Sequence, residues 1–227
     1  MVTNGIKPSI AIVGGTGKEG KGLAFRWAQA GYTVTVGSRN IEKAEVAKNE
    51  LNRILHRNAV CADTNDSAVE KAEVIVITVP YSAHRNILET LKERLQGKVI
   101  IDVTVPLVPP AVTKVQMPSE GSAAQEAQKI LGPECRVVSA FQNISHDLLM
   151  NNDEIQCDVF VCGTDNEARL IGLNLAKDAG LTGWDAGPIE NSVVVEGLTS
   201  ILIGLNKQYG SKSSGIKITG INRNISE

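Results

Sequence analysis

Apolar residues in this chain fall into two kinds of stretch that take turns along it. Short, nearly unbroken apolar runs occupy Ser9–Gly14, Tyr32–Gly37, Val74–Val79, Val99–Val103, Arg136–Ala140 and Cys157–Cys162, with a shorter run at Ala59–Ala62. These runs predict strands, and the almost wholly apolar Val74–Val79 predicts a central parallel strand covered on both faces. Between them, apolar residues recur at helical spacing, predicting helices from Leu23 to about Ala30, and over Ile41–His56, Ala83–Leu95, Ala123–Leu131, Asn166–Ala179 and Ser192–Tyr209. Thr64-Asn-Asp-Ser67 supplies caps for a brief helix over Ala68–Lys71. Gly31 and Gly180 end the helices before them.

The rhythm breaks once. Thr104-Val-Pro-Leu-Val-Pro-Pro110 opens a proline-rich connection that runs to Ser122. A connection of this length inside a compact domain is usually functional or mobile, and it is expected over the ligand crevice as a lid. The last helix carries Val194, Val195, Leu198, Ile201, Leu202 and Leu205, an apolar face broader than a lone surface helix needs. Its breadth predicts packing on the crevice and against a second subunit, hence a homodimer. The strand–helix sequence divides into residues 1–187, holding the sheet, and residues 188–227, a small C-terminal helix and tail that close the crevice.

Size and charge narrow the partners. The chain has 227 residues, 23 basic and 25 acidic, for a formal net charge of −2. That balance gives no reason to expect nucleic acid or an anionic membrane. No apolar run approaches the ~18 residues that span a bilayer, and Met1-Val-Thr-Asn-Gly-Ile-Lys7 lacks the charged-then-apolar order of a leader. A cytoplasmic protein is expected. Cys61, Cys135, Cys157 and Cys162 form no Cys-x-x-Cys pair and His56, His84 and His146 are scattered, so no metal site is expected and the thiols read as reduced core residues.

The first strand ends in Gly14-Gly-Thr-Gly-Lys-Glu-Gly20, and a helix follows at once. Gly15, Gly17 and Gly20 have the Gly-x-Gly-x-x-Gly spacing in which the first glycine turns the chain, the second admits a pyrophosphate and the third lets helix pack on strand. The helix start offers free N–H groups and a positive dipole end to phosphate. The fold class is therefore α/β: a doubly wound, mostly parallel Rossmann-type sheet with a small C-terminal helical cap. At the end of the second strand, where an acidic residue would select NAD, the chain has Ser38-Arg39-Asn40 with Lys43 one turn further on. A hydroxyl, a guanidinium fork and a point charge there favour the 2′-phosphate of NADP(H). Residues 1–187 thus read as an NADP-binding domain, and Pro80 falls where a central strand meets the crevice.

Nicotinamide chemistry is hydride transfer, and most such dehydrogenases add a proton donor or acceptor. The chain has no Tyr-x-x-x-Lys pair, and no His–Asp couple stands out near a strand end. His146, the one histidine near a predicted carboxyl strand end, reads as a loop or cofactor contact rather than an acid or base, and Tyr81 as a residue that packs or stacks on a ring. No catalytic residue is assigned. Transfer from one ring to another needs alignment more than acid–base help.

The run Ile10–Ala24, with Val36-Gly-Ser-Arg39 and Glu42-Lys-Ala44, closely resembles the NADPH-dependent reductases of coenzyme F-420. The resemblance continues through Val79-Pro80, Gly121–Ala124, Val137–Ala140, Val161–Gly163, Asp185–Pro188, Val195-Glu196, Leu198-Thr199 and Gly215–Lys217, nearly the whole chain. It implies direct, reversible hydride transfer between the nicotinamide C4 and C5 of the 8-hydroxy-5-deazaflavin. It further implies that Thr16, Gly17, Lys18, Glu19, Ser38, Arg39 and Lys43 hold the NADP phosphates. Val79, Pro80 and Val105 would lie along the nicotinamide, and Gln142, Ile144, Thr199, Gly215 and Ile216 would face the deazaflavin. Two positions depart from the family pattern: Gln142 stands where histidine is common, and Val193 where some members carry arginine. Two other readings stay open, an NADPH-dependent flavin or ferric reductase and a non-catalytic NADP(H) sensor.

Overall fold

The structure, a computed structural model, describes residues 7–150 and 154–221. The N-terminal stretch read for a leader and the end of the 188–227 segment lie largely outside these residues. Strands form where the apolar runs stand: β1 (Ile10–Val13), β2 (Val34–Ser38), β3 (Val60–Thr64), β4 (Val74–Ile77), β5 (Val99–Asp102), β6 (Arg136–Ser139), β7 (Asp158–Gly163) and β8 (Thr182–Pro188). They make one sheet in the order β3-β2-β1-β4-β5-β6-β7-β8. β1 to β6 are parallel, β7 runs antiparallel to β6, and β8 is parallel to β7. The 3-2-1-4-5-6 order is that of the doubly wound dinucleotide fold, with its switch point between β1 and β4.

The helices are α1 (Lys18–Gln29), α2 (Ile41–Leu55), α3 (Asn65–Lys71), α4 (Tyr81–Leu95), α5 (Ala123–Leu131), α6 (His146–Leu149), α7 (Asn166–Asp178) and α8 (Ser192–Tyr209). Side chains at four starts satisfy a free N–H: Asn40 accepts from Lys43 N, Thr64 from Ser67 N, Ser122 from Gln125 N and Asp165 from Ala168 N. Because strand side chains alternate, the sheet has two cores. Ile10, Ile12, Val34, Val36, Val74 and Val76 face α1, α2 and α7, while Ala11, Val13, Ile75, Ile77 and Ile100 face α3, α4 and α5.

Three features correct the sequence reading. Residues 182–188, where the sequence pattern assigns no element, form β8, whose half-exposed positions on the sheet edge leave no apolar run to find. α6 is a single turn, too short to show a period. Cys61, expected in the core, is exposed on β3, the other edge strand, where one face meets solvent; Cys135, Cys157 and Cys162 are buried and all four thiols are free.

The C-terminal helix is pinned where the carboxyl strand ends lie. The Glu196 carboxylate accepts from Ala123 N (2.7 Å) and Ala124 N (3.1 Å) at the start of α5. Ser192 Oγ and Ser122 Oγ share a hydrogen bond of 2.7 Å, and Thr199 Oγ1 donates to the Gln142 carbonyl at 2.9 Å. These bonds seat the inner face of α8 and leave Val193, Val194, Ile201, Leu205 and Tyr209 exposed. Among the described residues no helix is long and apolar enough to cross a membrane.

Candidate functional site

At three glycines after β1, Gly14, Gly15 and Gly20, nothing larger fits. Gly14 has φ +74°, the left-handed conformation that L side chains resist, so it rather than Gly15 makes the turn. A Cβ on Gly15 would lie 2.9 Å from the Ile12 carbonyl, and one on Gly20 would lie 2.7 Å from Gly15 Cα and 2.8 Å from Thr78 Oγ1. Gly15 and Gly20 therefore form the seat of α1 on the sheet. Gly17 differs: it is the N-cap of α1, is exposed, and its Cβ would meet nothing closer than 3.6 Å. No side chain caps the helix start, so its N–H groups are open to an anion.

This turn borders a cleft of about 790 Å³ at the β1/β4 switch point. Of the residues singled out in the sequence, Thr16, Gly17, Lys18, Glu19, Ser38, Arg39, Lys43, Val79, Pro80, Val105, Gln142, Ile144 and Thr199 line it. Gly15 and Gly20 lie beneath it. Gly215 and Ile216 are not in its lining: Gly215 packs on Cys157, and the Ile216 carbonyl accepts from Asp158 N at 2.9 Å, so the tail runs beside β7. Val193 is also outside the lining, whereas Tyr81 and His146 are within it. Leu107, Pro109 and Val112 of the proline-rich connection form one wall, and Val115 and Met117 of the same segment rest on Gly197 of α8.

Charge is distributed unevenly around the cleft. Lys18, Arg39 and Lys43 stand at its mouth, and among the described residues none of their side chains makes an ion pair or hydrogen bond. Ser38 Oγ accepts from Asn40 N at 3.2 Å, which leaves the hydroxyl proton free to donate. The floor is apolar, from Val79, Pro80, Val103, Val105 and Ile144, with polar atoms at a few points. Glu19 Oε1, Thr104 Oγ1 and Gln142 Oε1 are buried without a partner, and all three residues line the cleft. Gln142 has its orientation fixed, because Nε2 donates to the Asp102 carbonyl (2.7 Å) and lies 2.8 Å from Ser139 Oγ, leaving Oε1 as the unpaired acceptor. Unpaired buried polar atoms are rare enough that their gathering at one cleft marks a functional surface.

Two contributors were missed in the sequence. Asn65, read only among cap candidates, is buried, lines the cleft and accepts from Gly14 N at 3.3 Å, bracing the turn from α3. A His–Asp couple does exist at a strand end: His84 Nε2 and Asp102 Oδ2 are 2.7 Å apart and both residues are fully buried. No spacing rule links them, since only the crossing of α4 over β5 brings them together. Glu126 Oε2 lies 3.6 Å from His84 Nδ1. Burial pushes the His84 pKa down, but the charges of Asp102 and Glu126 outweigh it and hold the imidazole above its ordinary range. Burial pushes Glu196 up to about 8 against the lowering effect of the Ala123 and Ala124 N–H groups. His84 does not line the cleft; the couple acts behind it, with Asp102 Oδ1 accepting from Thr104 N and the Asp102 carbonyl holding Gln142.

Comparison with known proteins adds to this geometry. Residues 9–106 match the family model described as NADP oxidoreductase, coenzyme F-420-dependent. The F-420-dependent NADP reductase of Methanocaldococcus jannaschii is 39% identical over 221 residues, covering 93% of this chain and 98% of that protein. The metalloreductase STEAP3 of Rattus norvegicus is 29% identical over 84% of this chain, but only 36% of that protein is covered. Among solved structures, an Arthrobacter sp. fb24 protein assigned to the F-420-dependent NADP-reductases superposes with a TM-score of 0.77 at 23% identity, over 94% of this chain and all of that one.

Proposed function

The chain belongs to the family of F-420-dependent NADP reductases, and from that premise we propose that it moves a hydride reversibly between NADP(H) and the deazaflavin coenzyme F-420, ring to ring, in the β1/β4 crevice. The two coenzymes supply the redox chemistry between them; the protein binds, aligns and dries them. The observation that carries the reading is the cleft itself, where an uncapped helix start and three unpaired cations share a mouth above an apolar floor.

In this reading the open N–H groups at Gly17 and the α1 dipole take the diphosphate, with Thr16, Lys18 and Glu19 around it. Arg39 and Lys43 hold the 2′-phosphate with Ser38 donating a hydroxyl. Val79, Pro80 and Val105 form a dry wall for the nicotinamide, while Gln142, Ile144 and Thr199 face the second ring. Gly215 and Ile216 support that side through the tail's bond to β7 rather than by direct lining. The transfer itself needs no side chain as acid or base, because hydride moves between two carbons held in register, and the proton that completes the reduced deazaflavin comes from solvent. The proline-rich wall, resting on α8, excludes water. Residues 1–187 serve as the NADP-binding domain and 188–227 as its closure.

Mixing purified protein with NADPH and, in turn, F-420, FMN with ferric citrate, and buffer, while following both chromophores, tests the assignment. Turnover with F-420 is expected. Turnover with flavin and iron alone would support a ferric reductase, and binding without turnover a sensor.

A homodimer in the cytoplasm completes the reading. It is supported by the outer stripe of α8, where Val194, Ile201, Leu205 and Tyr209 remain exposed on a helix whose inner face is already packed. Ile201→Glu should halve the mass seen by sedimentation at micromolar concentration, and a wild-type monomer there would overturn the dimer.

A further inference from the structure

Glu19 is out of place for a phosphate site. It stands in the first turn of α1, two residues past the N-cap Gly17, and lines the cleft that the reading above gives to a dinucleotide, on which this inference rests. A carboxylate in a first helix turn is ordinarily favoured by the helix dipole and by water. Here Oε1 is sealed from solvent and unpaired, and no ion pair or hydrogen bond of the side chain is found among the described residues. The backbone beside it is packed closely, since a Cβ on the neighbouring Gly20 would meet Gly15 and Thr78 inside 3 Å.

Cations surround the cleft, yet none neutralises Glu19. On its own helix Lys21 is engaged by Glu50 (2.7 Å) and the Arg26 guanidinium by the Leu149 and Leu148 carbonyls. Among the described residues, Lys18 from α1, Arg39 and Lys43 from the end of β2 and the start of α2, and His146 and Asp147 from α6 make no hydrogen bond or ion pair with it. Dehydration alone pushes the carboxyl up to about 8. A dinucleotide carrying a diphosphate and a 2′-phosphate would bring several negative charges beside this carboxyl and cover what remains of its contact with water.

We propose that Glu19 is a proton-linked positioning residue of the dinucleotide site: the nucleotide binds the neutral carboxylic acid, and an ionised Glu19 takes up one proton from solvent for each nucleotide bound. The O–H so formed is a donor that a phosphate or carboxamide oxygen accepts. Linkage fixes the sign: affinity is full below the carboxyl's ionisation and falls about tenfold for each pH unit above it.

Calorimetric titration of NADPH into wild type and Glu19→Gln, from pH 7 to pH 9.5 and in buffers of differing ionisation heat, tests this. The nucleotide's phosphates are already ionised across this range, and other titrating groups are common to both proteins, so the difference isolates Glu19. Wild type should take up a fraction of a proton near pH 8, rising toward one at pH 9.5, with Kd weakened about tenfold at pH 9. Glu19→Gln should show neither effect, and Glu19→Leu, equally neutral, should also bind independently of pH, which serves if the glutamine variant folds poorly. Equal proton uptake in wild type and variants, or a wild-type Kd indifferent to pH, would overturn the inference alone. Failure of wild type to bind NADPH at pH 7 would overturn the dinucleotide reading and this inference with it.

Discussion

In the proposed nucleotide site, Arg39 and the three motif glycines divide the work between attraction and room. Charge-assisted bonds to a phosphate are worth about 1.5–3 kcal/mol, so Arg39→Ala should weaken NADPH roughly 10- to 150-fold and leave NADH nearly unchanged; the ratio of the two KM values reads this. Gly17 and Gly20 should fail differently. The Cβ of Gly20→Ala meets Gly15 and Thr78 inside 3 Å, an overpacking that costs about 1–3 kcal/mol of stability. Gly17→Ala has open space in the free protein and should lose at most about 1 kcal/mol of stability, yet it should lose NADPH affinity, because the new methyl stands where the diphosphate approaches. Urea titration beside NADPH titration separates the two. At this scale the sequence was legible where a residue's own chemistry sufficed: Arg39 next to Ser38 at a strand end, glycines at fixed spacing. It was silent on Asn65 and on the sealed oxygen of Glu19, because burial is a property of neighbours.

Elements are joined behind the cleft by the buried set His84, Asp102, Glu126 and Glu196, one each from α4, β5, α5 and α8. Removing one partner of a buried charged pair leaves the other without compensation, a loss of about 3–5 kcal/mol. His84→Leu should therefore destabilise the fold by about that much, and His84→Leu with Asp102→Leu by less. The imidazole is held above its unfolded pKa, so its share of the stability is complete below about pH 6.5 and is lost as pH rises through the folded value. The Glu196 carboxyl, raised to about 8, acts with the same sign, binding a proton in the folded state at pH values where the unfolded chain has released it. Wild-type stability in urea should thus fall from pH 6 to pH 9, and the His84→Leu variant should show a shallower slope. None of this could be read along the chain, since His84 and Asp102 are eighteen positions apart and carry no helical or strand register in common.

For the whole molecule, ligand linkage gives a direct measure of the nucleotide site. At one hundred times its Kd, NADPH should stabilise the fold by about 2.7 kcal/mol, or about 5–11 °C in Tm for a domain of this size. NADH at the same concentration should give a far smaller shift, and equal shifts from both would count against the Ser38–Arg39–Lys43 assignment. The same measurement on Ile201→Glu should retain the NADPH shift, because Ile201 is exposed and does not line the cleft.

Local chemistry determined most of the architecture. Short apolar runs bounded by turn residues predict strands, helical spacing between them predicts the helices that cover them, and glycines after the first strand mark its turn, so the α/β fold and the preference for NADP were present in one dimension. The edge strand β8, the exposure of Cys61, the antiparallel entry of β7, the His84–Asp102 couple and the dehydration of Glu19 were decided only in three. Each depends on which distant element arrives alongside, and a residue's solvent, partners and charge state belong to that meeting rather than to the residue itself.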